Sequence, residues 1–275
     1  MNNYCKICKS SASNTFKALV LQKYEVKYFK CGKCGFIQTE KPFWLDEAYQ
    51  SAITSLDIGL LYRNLQFSEM LETFLLKNIV DSNGKFIDYG GGYGIFVRLM
   101  RDRGFNFFRQ DLYCENLFAK HFDISDINTD RKFELLTAFE VFEHLEDPLT
   151  EVSKMLSLSD SIFFSTELLP SNNPTPDTWW YFAPETGQHI SFYTLESLQI
   201  IAEKLNFNLY SNRYNLHMLS KEKLAFDPFE IHRPPGRLQR LLSLFKDKHA
   251  IKRKESLLMK DFNYVKTLIN NNRKA

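Results

Sequence analysis

The sequence predicts an α/β fold, doubly wound about a mainly parallel sheet, with a small metal-held ribbon ahead of it. Three observations carry that prediction. From Lys85 onward, short apolar strands alternate with helices, the order that builds a parallel sheet covered on both faces. A glycine-rich turn, Asp88-Tyr-Gly90-Gly91-Gly92-Tyr-Gly94, lies between an apolar strand and a helix. Four of the five cysteines fall into two Cys-x-x-Cys pairs within the first 34 residues. At 275 residues and 44% apolar composition the chain can bury one large core, whereas a short appendage needs its own reason to fold.

The elements follow in order. Residues 1–41 hold Cys5-x-x-Cys8, an alternating stretch from Phe16 to Phe29, and Cys31-x-x-Cys34, too little to form a core unaided. Residues 42–84 read as a helical connector, with Leu61, Leu65, Phe67, Met70, Leu71, Phe74 and Leu75 at helical spacing, closed by Asp81-Ser-Asn-Gly84. Residues 85–220 form the main domain. Its strands are predicted at 85–89, 105–110, 133–139 and 161–166, and a helix at 95–103. Asp147 caps another helix with Pro148 in its first turn, where a missing N–H is no loss. A Pro-rich loop fills 169–187, Thr194 caps a helix to Leu205, and 208–219 reads as a terminal hairpin, adding an antiparallel member. Residues 221–275 form a tail expected to be helical. Its basic character is local: residues 237–275 carry eleven Lys/Arg against three Asp/Glu, leaving 24 against 30 before them. A solvated helical face is the expected use of that charge. No run of eighteen apolar residues occurs, and Met1-Asn-Asn-Tyr-Cys5 is no secretory leader, so a cytoplasmic protein is expected.

Cys5-x-x-Cys8, twenty-two residues, then Cys31-x-x-Cys34 is the spacing of a tetrahedral thiolate site. Gly32 and Gly35 permit the tight knuckle at the second pair. Four thiolates leave no open coordination position, so a zinc ion here is expected to be structural. Cys114 has no partner in the sequence and reads as a packed thiol.

Residues without Cβ let the chain turn sharply and let a ligand approach the main chain, while the following helix presents free N–H groups. A dinucleotide fold uses the same device, but its Gly-x-Gly-x-x-Gly pattern fails: the third position is Ile95 counted from Gly90 and Val97 counted from Gly92. What remains is Asp-x-Gly-x-Gly-x-Gly, with a carboxylate where a pyrophosphate would be repelled. S-adenosylmethionine (SAM) has no phosphate and carries an ammonium and a sulfonium, which Asp88 suits. The next strand ends in Asp111, placed to accept from both ribose hydroxyls.

These residues, with Phe139-Glu-Val-Phe-Glu-His-Leu-Glu-Asp-Pro148, resemble the class I SAM-dependent methyltransferases from about Lys85 to Leu219. The resemblance implies a seven-stranded sheet of order 3-2-1-4-5-7-6. It places Tyr89, Gly90, Gly92 and Gly94 around the amino acid part of SAM, Asp111 on the ribose, and Glu140 beside the methionine moiety; Phe122 and Asp123 are the adenine-side candidates. Ribbon plus SAM domain is similar to sugar methyltransferases with an N-terminal zinc-binding segment, although the long C-terminal half of the deoxysugar C-methyltransferases has no counterpart.

Methyl transfer is an in-line displacement on an already activated electrophile, so the protein supplies position and, for a hydroxyl acceptor, a base. His189 follows the fifth strand and is the preferred base. His144, beside Glu143, follows the fourth and can orient that base or hold the pocket through a hydrogen bond. Trp179, Trp180 and Tyr181 offer flat faces to a sugar ring. Arg63 can reach the SAM carboxylate. The reading is an O-methyltransferase for a nucleotide-linked sugar or a surface glycan. The alternatives are an RNA methyltransferase docking through the ribbon, disfavoured by the net negative first 236 residues, and a SAM-fold binding protein without activity. A nicotinamide enzyme would need a Tyr-x-x-x-Lys pair, which the sequence lacks.

Overall fold

A computed structural model describes residues 3–51, 53–77, 79–128, 131–229 and 253–272. Its strands form two sheets. In the first, β1 (Asn3–Tyr4), β2 (Ser11–Val20), β3 (Tyr24–Cys31) and β4 (Ile37–Thr39) pair antiparallel in chain order. The alternating stretch read from the sequence is the β2–β3 hairpin, turned at Leu21 and Gln22, both at positive φ (52° and 54°). Three residues separate the paired Val20 and Tyr24, and the Lys23 N–H closes the turn on Val20 O across the two left-handed positions, a hand that follows the strand twist.

The connector is less helical than expected. Among the described residues of the connector, only α1 (Leu45–Ala48) and α2 (Leu60–Leu75) are helical. α2 buries Leu71, Phe74 and Leu75 and leaves Leu61 exposed, so the apolar periodicity holds only over its second half.

The second sheet contains β5 (Lys85–Tyr89), β6 (Asn106–Gln110), β7 (Leu135–Ala138), β8 (Ser161–Ser165), β10 (Asn208–Ser211) and β11 (Leu216–Ser220), in the order β10-β11-β8-β7-β5-β6. The four strands from β6 to β8 run parallel, and β11 lies antiparallel against β8. Helices α3 (Ile95–Asp102), α4 (Pro148–Leu158) and α5 (Leu195–Leu205) make the crossovers. Phe86, Ile87, Leu135, Leu136, Phe163 and Phe164 are buried, the near-continuous apolar run of a sheet covered on both faces. Asp147 caps α4 through the Thr150 N–H, and Thr194 caps α5 through the Ser197 N–H.

The described sheet thus has six strands, not the seven implied by resemblance. Where a further edge strand would lie beyond β6, there is one parallel bridge, Arg109 to Asp123. The short segment after β6 is spent in turns. The Arg109 guanidinium ties it down by donating to Asp123 Oδ1 (2.6 Å), to Cys114 O (2.9 Å) and to Gly92 O.

The ribbon does not stand apart. Its sheet is completed by β9 (Ser191–Phe192), from the chain between β8 and α5, with Ile37 opposite Phe192 and Gln38 opposite Ser191. Val20, Val26, Tyr28, Ile37 and Trp44 pack with Tyr181, Phe182, Ile190 and Phe192 into a second apolar core.

The expectation for residues 230–252 lies outside the described residues. Beyond them, α6 (Leu258–Asn272) is helical, as expected of the tail, but it is docked as well as solvated. Asp261, 4% exposed, receives two hydrogen bonds from Arg101 and one from Arg98. Burial raises its carboxyl, but those two guanidinium groups together hold it below the usual range. No helix among the described residues is long and apolar enough to cross a membrane.

Candidate active site

The carboxyl ends of β5, β6 and β7 open into a cavity of about 1300 Å³, where doubly wound sheets bind their ligands. It exceeds the roughly 300–1,000 Å³ of most single-ligand pockets, leaving room for a cofactor and an acceptor together.

The glycine turn forms one wall. Gly90 takes φ +69°, and a Cβ there would lie 2.7 Å from Val141 Cγ2, so both the backbone angle and the space demand glycine. The Gly92 N–H donates to Asp111 Oδ2 (2.9 Å), while Asp111 Oδ1 accepts from the N–H groups of Tyr113 and Cys114. Asp111 is thereby fixed by three backbone donors at the cavity edge. Gly94, at φ +85°, starts α3 and packs against Asn116 and Ala119 instead of facing the cavity.

Asp88 sits beneath the turn, 4% exposed, accepting from Thr137 Oγ1 at 2.6 Å. Burial pushes its carboxyl up to about 7, against the opposing Thr137 hydrogen bond. The Tyr89 hydroxyl donates to Glu151 at 3.2 Å. Glu140 has φ +53°, a left-handed conformation that a side chain seldom adopts away from functional sites. Ser165 Oγ holds it, accepting from the Glu140 N–H (2.8 Å) and donating to Glu140 Oε1 (2.6 Å). Arg63 faces the cavity from α2, paired with Asp57 at 2.6 Å.

At the other end, the Ile190 N–H donates to the Glu143 carbonyl (2.9 Å), bringing Glu143-His144 alongside His189-Ile190. The two imidazoles lie 5.0 Å apart, edge to face. His144 Nδ1 is 3.1 Å from the Gln188 carbonyl and 2.9 Å from the Tyr49 hydroxyl, and His189 Nδ1 is 2.6 Å from the Tyr181 carbonyl. A carbonyl only accepts, so His189 Nδ1 carries the proton and its Nε2 keeps the lone pair; His144 Nδ1 meets both the Gln188 carbonyl, which accepts, and the Tyr49 hydroxyl, which can donate or accept. Burial lowers His144 to about 3 and His189 to about 4, so both rings are neutral at physiological pH.

The structure separates some expected site residues from the cavity. Phe122 is buried under the Arg101 guanidinium, 3.8 Å from its ring centroid, and Asp123 is spent on Arg109. Neither lines the cavity, because the shortened edge turns Phe122 toward α3 and α6 and Asp123 onto Arg109 of β6. Trp179 and Tyr181 belong to the second core, where their rings pack against Phe182 and His189 respectively; only Trp180, 73% exposed, reaches the cavity. Tyr49, Leu112 and Tyr113 line the cavity although sequence reasoning assigned them no role. The signal for two of them was present: apolar side chains directly after the β6 carboxylate, left 79% and 70% exposed. Tyr49 directly follows α1 in the connector, and no local pattern marks it.

The four cysteines of the ribbon are brought together, each offering one sulfur within 4.8 Å of the others. Cys5 and Cys34 Sγ lie 3.6 Å apart, Cys8 and Cys31 Sγ 3.4 Å. Thiolates at 2.3 Å around a tetrahedral zinc stand about 3.8 Å apart. The N–H groups of Cys8, Lys33 and Cys34 donate to cysteine sulfurs, as a knuckle requires. The residues fit a closed zinc site.

Comparison with known proteins agrees with this geometry. A family described as a methyltransferase domain matches residues 62–212. No curated protein sequence matches the chain. Similar solved structures include an O-methyltransferase family 2 protein from Planctomyces limnophilus in complex with apigenin (12% identity, TM-score 0.39, 51% of this chain against 52% of that one). An O-methyltransferase family protein from Burkholderia thailandensis is similar at 10% identity and TM-score 0.45, covering 61% of this chain and 59% of that one. Human N-acetylserotonin methyltransferase in complex with SAM is similar at 13% identity and TM-score 0.40, covering 66% of each chain. With a glycine turn, a β6 carboxylate and a strained β7 terminus on one sheet, and a family match spanning more than half its length, the chain belongs to the methyltransferase domain family.

Proposed function

We propose that the protein is a cytoplasmic, SAM-dependent O-methyltransferase acting on a sugar, either nucleotide-linked or within a glycan, and that its ribbon holds a structural zinc. The observation that carries the cofactor is the turn itself: Asp88 below it and Asp111 beside it put two carboxylates where a diphosphate would be repelled and a sulfonium nucleoside attracted. SAM lies with its methionine end toward Gly90, Gly92, Glu140 and Arg63, and its ribose on Asp111. Leu112 and Tyr113 present apolar faces on the adenine side.

The acceptor end favours a hydroxyl-rich molecule. Asp46, Glu146 and Glu185 line the cavity with carboxylates that can accept from hydroxyls, beside the exposed face of Trp180, while Asp147 is engaged by Thr150. Lys6, Lys9 and Lys154 line the same cavity, so its charge is mixed, and it is the net negative charge of the first 236 residues that counts against RNA. His189, neutral and with its Nε2 lone pair free, is the base we assign to the acceptor hydroxyl, and His144 orients it. SAM supplies the activated methyl group. The chain's own part is to align oxygen, carbon and sulfur and to draw off the proton.

Titration calorimetry tests the cofactor assignment. SAM should bind the wild-type chain, and Asp111→Ala should weaken it by about tenfold or more, as losing a charged hydrogen-bond acceptor does. Equal affinity in the two proteins would remove the ribose assignment.

A further inference from the structure

We propose that Glu143, His144 and His189 form a binding site for a divalent transition-metal ion at the acceptor end of the cavity, separate from the ribbon cysteines. Glu143 is fully buried, and neither carboxylate oxygen makes a well-formed hydrogen bond, although the Tyr181 and Thr166 hydroxyls stand close enough to favour its charged form. Buried polar groups are almost always paired, and an unpaired carboxylate is among the costliest to leave alone. Its nearest imidazole nitrogen is His144 Nε2, 3.9 Å from Glu143 Oε1. One ligand atom of each of Glu143, His144 and His189 lies within 4.8 Å of the other two.

Both imidazoles turn Nδ1 to main-chain carbonyls, those of Gln188 and Tyr181. The corner therefore collects two imidazoles and a carboxylate within ligand distance of one another, beside the Tyr181 and Thr166 hydroxyls. A cation completes such a set. Metal-bound histidines have this outer shell: the second ring nitrogen donates to a carbonyl, which fixes the tautomer and aims the ring. Two imidazoles and one carboxylate suit zinc, iron or manganese better than magnesium, which prefers an all-oxygen shell. Three protein ligands leave open positions, and His144 and His189 border the cavity, so those positions face the acceptor.

The inference deepens the methyl-transfer reading and rests on it only for the ion's use. An acceptor hydroxyl bound to the ion is acidified, and its proton leaves to water. The oxygen then forms its bond to the methyl carbon as the carbon–sulfur bond breaks, and that electron pair stays on sulfur, giving a methyl ether and neutral S-adenosylhomocysteine. With the ion bound, His144 and His189 serve as its ligands, and this route replaces the direct proton transfer to His189 described above.

Loading the full chain with Co²⁺ and counting metal by inductively coupled plasma mass spectrometry tests the site. The wild type should hold two equivalents, one showing thiolate charge-transfer absorption and one without it. Glu143→Gln should hold only the thiolate-bound equivalent and still bind SAM; His189→Ala should behave the same way and serves if the first variant does not fold. One equivalent in the wild type, or two in Glu143→Gln, would overturn the site and leave Glu143 as a protonated acid. Two equivalents in a wild type that binds no SAM would keep the site and reject the cofactor reading.

Discussion

Asp88 concentrates the electrostatics of the site in one side chain. Removing a carboxylate from water disfavours its charge, and the neighbouring Asp111 adds repulsion, so the group titrates near 7 in the free protein despite the Thr137 hydrogen bond. Because the folded value is raised, its protonation stabilises the free protein at low pH, and that contribution is lost as pH rises through about 7. A bound sulfonium reverses the preference by stabilising the carboxylate. SAM binding should therefore release a proton near neutral pH. Affinity should rise by up to about tenfold per pH unit between about pH 6 and 7, then level off. Calorimetry in buffers of different ionisation enthalpy measures the proton count, and Asp88→Asn, the isostere of the neutral form, should flatten the profile. A wild-type affinity that ignores pH across that range would mean that Asp88 does not sense the cofactor's charge.

At the level of elements, the turn between β5 and α3 is held from outside by Arg109 on β6. Its guanidinium bonds Gly92 O, Cys114 O and Asp123, so one 5%-exposed side chain joins the glycine turn, the Asp111 turn and the shortened sheet edge. Arg109→Met keeps the packing against Gly91 and removes all three bonds. A loss of about 1.5–3 kcal/mol in loop order should appear as SAM binding weakened about 10- to 100-fold, with far-ultraviolet dichroism unchanged. Unaltered affinity would show that the turn holds its shape without this arginine. Sequence patterns expose some of this and hide the rest. β5, α4, β8 and α5 were legible because capping residues and apolar runs act locally. The same holds for the glycine turn, the two carboxylates and the cysteine pairs. Arg109 was not legible, since a charged residue within a strand announces nothing until its partners are placed. Phe122, Trp179 and Tyr181 misled for the converse reason: aromatic character is visible in sequence, but the side of the chain that is buried is decided by distant neighbours. The missing edge strand was foreshadowed only by the shortness of 118–126.

Across the whole molecule, the ribbon meets the acceptor end of the cavity far more than the cofactor end. β4 pairs with β9, the Thr39 N–H donates to Ile190 O, Thr194 Oγ1 donates to Cys34 O, and Trp44 Nε1 donates to Gly187 O. Every one of these bonds ends within 187–194, the stretch that carries His189. The glycine turn and Asp111 are instead secured by β6 and Arg109, which owe nothing to the cysteines. A zinc ion on the four thiolates would thus fix the 187–194 loop through strand pairing, giving a segment too small to fold alone a reason to adjoin the main domain. Removing the thiolate-bound ion by Cys31→Ser should loosen 187–194 while sparing the cofactor end. SAM affinity should stay within about threefold, a change of less than 1 kcal/mol. Turnover on a true acceptor should fall by about a hundredfold or more, the cost of misplacing groups that must hold a reactant in line. Hydrogen exchange should quicken at 187–194 before it does at 85–111. If SAM affinity fell in step with turnover, the ribbon would be a global stabiliser. If turnover survived intact, the His189 loop would be ordered by its own packing against Tyr181 and Phe192, and the metal would have no part in placing it.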